Sequence, residues 1–167
     1  GQMLADAVFG CLAQALPGKV QAESAGSIWI LGLNSAHGRV PAHETARAKY
    51  FGVINIGLGG IGGRPGKDGL SSMAFPSGVG TIPVEITETQ CPLYFKRKEF
   101  LPDSGGAGEF RGGLSQVIEI ANREPAPFTI SAATFDRIHN PAQGRDGGQP
   151  GCKGRAGYGS GKALPDK

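Results

Sequence analysis

Four carboxylates and one guanidinium are the side chains best placed to do chemistry: Asp68, Glu85, Glu88, Asp103 and Arg111. Asp68 sits in Gly57-Leu58-Gly59-Gly60-Ile61-Gly62-Gly63-Arg64-Pro65-Gly66-Lys67-Asp68-Gly69. Asp103 opens, and Arg111 nearly closes, a block with five glycines in eleven residues, Asp103-Ser104-Gly105-Gly106-Ala107-Gly108-Glu109-Phe110-Arg111-Gly112-Gly113. Glycine lets another chain or a ligand approach the backbone closely. Gly59, Gly60, Gly62, Gly63, Gly105, Gly106, Gly112 and Gly113 therefore mark where close contact is expected. The five polar residues are candidates for a substrate or subunit contact. Their structural alternative is simpler: Asp68 and Asp103 cap turn N–H groups, and Arg111 pairs with a carboxylate. Asp103 and Arg111 lie eight positions apart across the glycine turn, so a hairpin-like return would pair them. None of these residues declares itself catalytic.

Other motifs are weaker. Gly57 to Gly62 fits G-x-G-x-x-G, with Glu85 downstream as a ribose contact. A dinucleotide site needs a helix to open at those glycines, and Gly63, Pro65, Gly66 and Gly69 oppose one. Gly66-Lys67 lacks the other P-loop residues, because Ile61 and Asp68 stand where glycine and Ser/Thr belong. His37 and His43, near Glu44, are spaced too widely for a typical zinc pair, and His139 reads as an exposed turn residue. No metal site is expected in these residues. Cys11, Cys91 and Cys152 form no Cys-x-x-Cys pair, and free thiols fit a reducing cytoplasm.

The elements that must position these groups follow from periodicity. Leu4, Val8, Cys11, Leu12 and Ala15 predict an amphipathic helix over 3–16 with that set buried, stopped by Pro17-Gly18. Strands are predicted at Ser27–Leu33, Tyr50–Ile56, Thr81–Glu88, Leu93–Phe100, Gln116–Ala121 and Phe128–Thr134. In the third, Ile82, Val84 and Ile86 alternate with polar residues, and Pro83 suggests an edge or bulge. Pro41 to Lys49 reads as a polar connector. The fold class is α+β and β-rich: one N-terminal helix, then mostly antiparallel or mixed strands with long Gly-rich loops. Residues 1–139 form the main region. Residues 140–167, rich in Gly and charge, are expected to be loop or tail.

Composition narrows the partners. The 167 residues carry 29 glycines without a collagen period and a net charge of +3. Lys96-Arg97-Lys98 is the one basic run and reads as a solvated strand face, so no nucleic-acid partner is expected. No apolar run approaches the roughly 18 residues of a membrane span.

Several of these segments, taken in order, resemble the hydantoinase B / 5-oxoprolinase family. They are Asp6-Ala7-Val8 with Leu12-Ala13-Gln14-Ala15-Leu16-Pro17; Gly59 to Gly69; Thr81-Ile82-Pro83-Val84-Glu85-Ile86-Thr87-Glu88; Pro92-Leu93; Asp103 to Gly113; and Phe135-Asp136-Arg137-Ile138 with Pro141-Ala142. The part resembled is the C-terminal half of a longer subunit, so the chain reads as a fragment. The family's Gly-Gly-Thr-His-Leu-Pro-Asp-type segment and a second His/Asp motif, associated with a divalent metal, do not occur here.

The resemblance implies a hydrolase acting on a cyclic amide such as 5-oxoproline or a hydantoin, in a cytoplasmic hetero-oligomer. ATP is expected on a hydantoinase A-type partner, the metal in the absent N-terminal half, and neither on this fragment. Two alternatives follow: a subunit of an ATP-dependent ketone carboxylase, or a non-catalytic scaffold that docks on the partner.

Overall fold

The computed structural model describes residues 1–26, 28–35, 51–125, 127–132 and 135–159. His37, His43 and the connector from Pro41 to Lys49 lie outside the described residues. Helix α1 (Gln2–Ala15) is followed by β1 (Trp29–Ser35), β2 (Gly52–Gly57), helix α2 (Val84–Gln90), β3 (Leu93–Phe100), β4 (Gln116–Asn122) and β5 (Phe128–Ala132). The architecture is α+β and rich in antiparallel strands. One sheet has the order β2-β1-β5, and β3 pairs with β4 in a two-stranded ribbon.

In the three-stranded sheet Leu33 stands opposite Val53 on one side and Ile130 on the other. Leu33 and Leu93 are fully buried and form a core with Phe51 and Cys91, against which Leu31, Val53, Ile120 and Phe128 pack. The core thus joins the sheet to the ribbon. On the ribbon the register slips between Phe95 and Arg97. Of the basic run, Lys96 and Arg97 are exposed and form ion pairs with Glu119 and Glu99, whereas Lys98 is half-buried.

Two expectations are corrected. The predicted strand Thr81–Glu88 is instead largely helix α2, preceded by Pro83 at φ −56°. Proline fits a helix start because its φ is preset and no partner is needed there for its missing N–H. The inward residues are Val84, Thr87, Glu88 and Cys91, whereas Ile82 and Ile86 are exposed. Their spacing of i, i+3, i+4 and i+7 is helical. Apolar alternation over so short a window fitted either period.

Helix α1 forms within a residue of its expected bounds but faces the other way. Leu4, Val8, Leu12 and Leu16 are all exposed, Leu4 at 67%. The inward side is Gln2, Ala5, Asp6, Phe9, Gly10 and Ala13. Phe9 stacks on Phe75 at 6.1 Å between ring centroids. Asp6 has charged and hydroxyl partners inside, and they decide the orientation.

Candidate active site and the two motif clusters

The glycine motifs pack on each other. Segments 59–63, 69–73 and 111–114 run side by side, outside any assigned strand. Ile61 donates to the Leu70 carbonyl at 3.0 Å, and Gly113 donates to the Ile61 carbonyl at 2.8 Å. Met73 donates to the Gly59 carbonyl and Ser72 to that of Leu114, each at 2.8 Å. A methyl group at Gly60 would collide with the Gly113 carbonyl, and one at Gly113 with the Leu70 carbonyl. At Gly63 it would stand 2.6 Å from the Phe110 carbonyl oxygen. Gly62 lies against Ala22, Gly105 against Gly112, and Gly106 against Gln149. The close approach anticipated for these glycines is therefore made within this chain, on backbone except at Gly59, which faces the Ala25 side chain.

This packing holds one polar turn in place. Arg64 and Lys67 exchange backbone hydrogen bonds of 2.8 and 3.1 Å around Pro65-Gly66, and Gly66 at φ +73° supplies the left-handed residue the turn needs. Asp68 accepts the Arg111 backbone N–H on Oδ1 at 2.8 Å. Gly69 donates to the Arg111 carbonyl at 2.7 Å. The Arg64 Nε donates to the Asp68 carbonyl at 2.8 Å. Asp68 and Arg111, 43 positions apart, thus meet. Asp68, Lys67 and Arg111 are exposed and Arg64 is half-buried.

The remaining candidates lie elsewhere. No ion pair joins Asp103 to Arg111 among the described residues, and both side chains are exposed, which corrects the pairing expected across the glycine turn. Asp103 adopts φ +55°, while Arg111 is tied to Asp68 by its backbone. Glu88 accepts the Phe95 backbone N–H at 2.8 Å and pairs with Arg123 at 2.6 Å, so it joins α2 to the ribbon. Glu85 is exposed on α2. It counteracts the fall in the Lys98 ammonium's pKa, which burial pushes below its ordinary value. Burial also pushes the Cys152 thiol up, with Arg155 opposing.

A second cluster escaped sequence reasoning. Asp6 accepts the Ser24 backbone N–H at 3.0 Å and the Ser24 hydroxyl on both oxygens. Arg137 binds Asp6 at 3.1 Å and Glu23 at 3.0 Å. Its side chain is 13% exposed and that of Asp6 5%, so this is a buried charge network. Arg137 takes φ +60°, unfavourable for a side chain of this size. The turn is held by the Arg137 N–H on Asp136 at 2.7 Å and by Gly154 donating to the Arg137 carbonyl at 3.0 Å. Trp29 donates to the Asp136 carbonyl at 3.2 Å and meets Phe135 edge-on at 4.8 Å. The signal was present in Asp6 and in Phe135-Asp136-Arg137-Ile138, but their pairing spans 131 positions. Ser24 is only 3% exposed and its carboxylate partner Asp6 is also held by Arg137, so the cluster is closed off from substrate and serves as a clamp.

Cofactor readings can be tested against this geometry. No helix opens at Gly57 to Gly62, since the next one begins at Val84, and the dinucleotide reading fails. Among the described residues no three His, Cys, Asp or Glu side chains converge as metal donors. The divalent metal implied by the family resemblance does not fit these residues, and no chemical step is assigned to it. No described helix is long and apolar enough to cross a membrane.

Comparison with known proteins gives a consistent picture. A protein of Pseudomonas sp. (strain NS671), described as the B-type component of a D-/L-hydantoinase, is 26% identical over 155 residues, covering 92% of this chain and 24% of that protein. The caprolactamase beta chain of Pseudomonas jessenii is 30% identical over 139 residues, 80% of this chain and 22% of its own length. 5-Oxoprolinase 1 of Arabidopsis thaliana is 32% identical over 105 residues, 62% of this chain and 8% of its own. The chain thus spans about a quarter or less of the relatives it matches. The family model for hydantoinase B/oxoprolinase matches residues 1–165, taking in both motif clusters, and the chain belongs to that family.

Proposed function

We propose that this chain is a segment of a hydantoinase B-type subunit that, with a hydantoinase A-type partner, hydrolyses a cyclic amide using ATP. The observation that carries the reading is the family match over residues 1–165. The named relatives support it, since hydantoin, caprolactam and 5-oxoproline all contain a ring amide. In this reaction the γ-phosphoryl group of ATP passes to the amide oxygen and amide resonance is lost. ADP leaves at that step. Water then attacks the ring carbon, the C–N bond breaks with the nitrogen taking a proton, and a second water cleaves the resulting acyl phosphate to carboxylate and phosphate. ATP is bound by the partner and a divalent metal by the part of the protein outside this segment. This chain supplies its two rigid motif clusters. Its three free cysteines fit a cytoplasmic complex.

A docking role is a second reading, favoured by the exposed apolar side of α1. The test is ADP formation and substrate loss with 5-oxoproline, hydantoin or caprolactam, for the chain alone and with a hydantoinase A-type subunit. The chain alone should be inactive with every substrate; ATP-dependent ring opening by it would overturn the assignment of ATP and metal to other parts. Bicarbonate-dependent consumption of acetone or acetophenone would shift the reading to a ketone carboxylase.

A further inference from the structure

We propose that the Arg64–Asp68 turn and Arg111 form a binding site for a small oxyanion, a carboxylate or a phosphate. Backbone hydrogen bonds bring three cationic residues, Arg64, Lys67 and Arg111, into one stretch of surface. None has an ion-pair partner among the described residues, whereas Arg97 and Arg123 each have one and Arg137 has two. The one carboxylate within the turn, Asp68, is used on the Arg111 backbone N–H and pairs with none of the three cations.

The cations are held by backbone rather than by chance surface proximity. Arg64 and Lys67 close the same turn. Residues 68 and 69 bond to Arg111 from either side, at 2.8 and 2.7 Å. Behind them, the Gly63 backbone presses on that of Phe110, and Gly69 on Ile61. The Arg64 Nε is spent on the Asp68 carbonyl, which fixes its stem and leaves both terminal nitrogens without a partner among the described residues. A guanidinium fork matches the two oxygens of a carboxylate or phosphate, and Lys67 adds a point charge. With its stem fixed in this way, the Arg64 guanidinium loses less freedom on binding than a free surface arginine.

The anion site stands apart from the proposed function; the choice of a ring carboxylate as one probe rests on it. The experiment is an NMR titration of the full chain, following arginine Nε–H and backbone amide signals. The probes are inorganic phosphate, 5-oxoproline and 2-pyrrolidone, the last being the same ring without its carboxylate. Phosphate and 5-oxoproline should shift Arg64 and Arg111, and 2-pyrrolidone should not. Arg111→Gln and Arg64→Gln should each weaken binding by about tenfold or more, and Arg111→Lys by less. Lys96→Gln, on the ribbon and paired with Glu119, should bind as wild type. The Arg111 side chain makes no contact whose loss would unfold the chain, and an unchanged melting temperature checks this. A response to phosphate alone keeps the anion site and removes the ring carboxylate as its ligand. If neither anion shifts these arginines, or if Lys96→Gln weakens binding as much as Arg111→Gln, the proposal is overturned.

Discussion

Replacing Asp6 with alanine tests whether the clamp orients α1. The carboxylate is 5% exposed, accepts Ser24 through its backbone and hydroxyl, and pairs with Arg137 at 3.1 Å. Removing one member of a buried pair costs about 3–5 kcal/mol, because the other charge is left without compensation. Here Arg137 keeps Glu23 at 3.0 Å, whose side chain is 28% exposed. The expected loss is therefore at the low end, about 3 kcal/mol. That is a large part of a stability of about 5–15 kcal/mol. The matching fall in melting temperature is about 6–12 °C. Urea denaturation followed by circular dichroism reads the free energy directly. Arg137→Met alone leaves Asp6 bonded to Ser24, so the double variant should lose less than the sum of the singles, by about 1 kcal/mol or more. A loss under about 1 kcal/mol for Asp6→Ala, or additive single variants, would refute the clamp.

Two further outcomes follow from the packing. Gly60→Ala drives a methyl group into the Gly113 carbonyl and should cost about 3 kcal/mol or more in denaturant unfolding. Gly80→Ala, with open space around the added carbon, should stay within about 1 kcal/mol of wild type; equal effects would refute the stacked-glycine account. On α1, Leu12→Gln should change stability by no more than about 0.5 kcal/mol. Phe9→Ala, which loses the contact with Phe75, should cost about 2 kcal/mol or more. The reverse order in thermal melts would mean that the leucine side faces inward.

Much of the local structure was legible in residue order alone. The 3.6-residue period and Pro17-Gly18 place α1 to within a residue. The apolar and aromatic run of β3 and the β-branched run of β4 locate these two strands, each with its start at the expected residue. The family was legible as well, because several short motifs in fixed order are far more specific than any one of them. These are local properties, set by backbone preference and side-chain period over a few neighbours.

Facing and pairing were decided only by the tertiary structure. The apolar period of α1 pointed to a buried leucine side, but a carboxylate finding Ser24 and Arg137, 18 and 131 positions away, turned the helix round. Ile82, Val84 and Ile86 suited a strand. The pocket for Thr87 and Cys91, buried at 2% and 6% exposure, made that segment a helix. Asp103 and Arg111 were expected to pair across their own glycine turn. Arg111 instead met Asp68 from the other glycine motif, because glycine removes the side-chain bulk that would hold two backbones apart. Periodicity reports what a segment can bury, whereas which partner it meets depends on contacts between residues far apart in the chain.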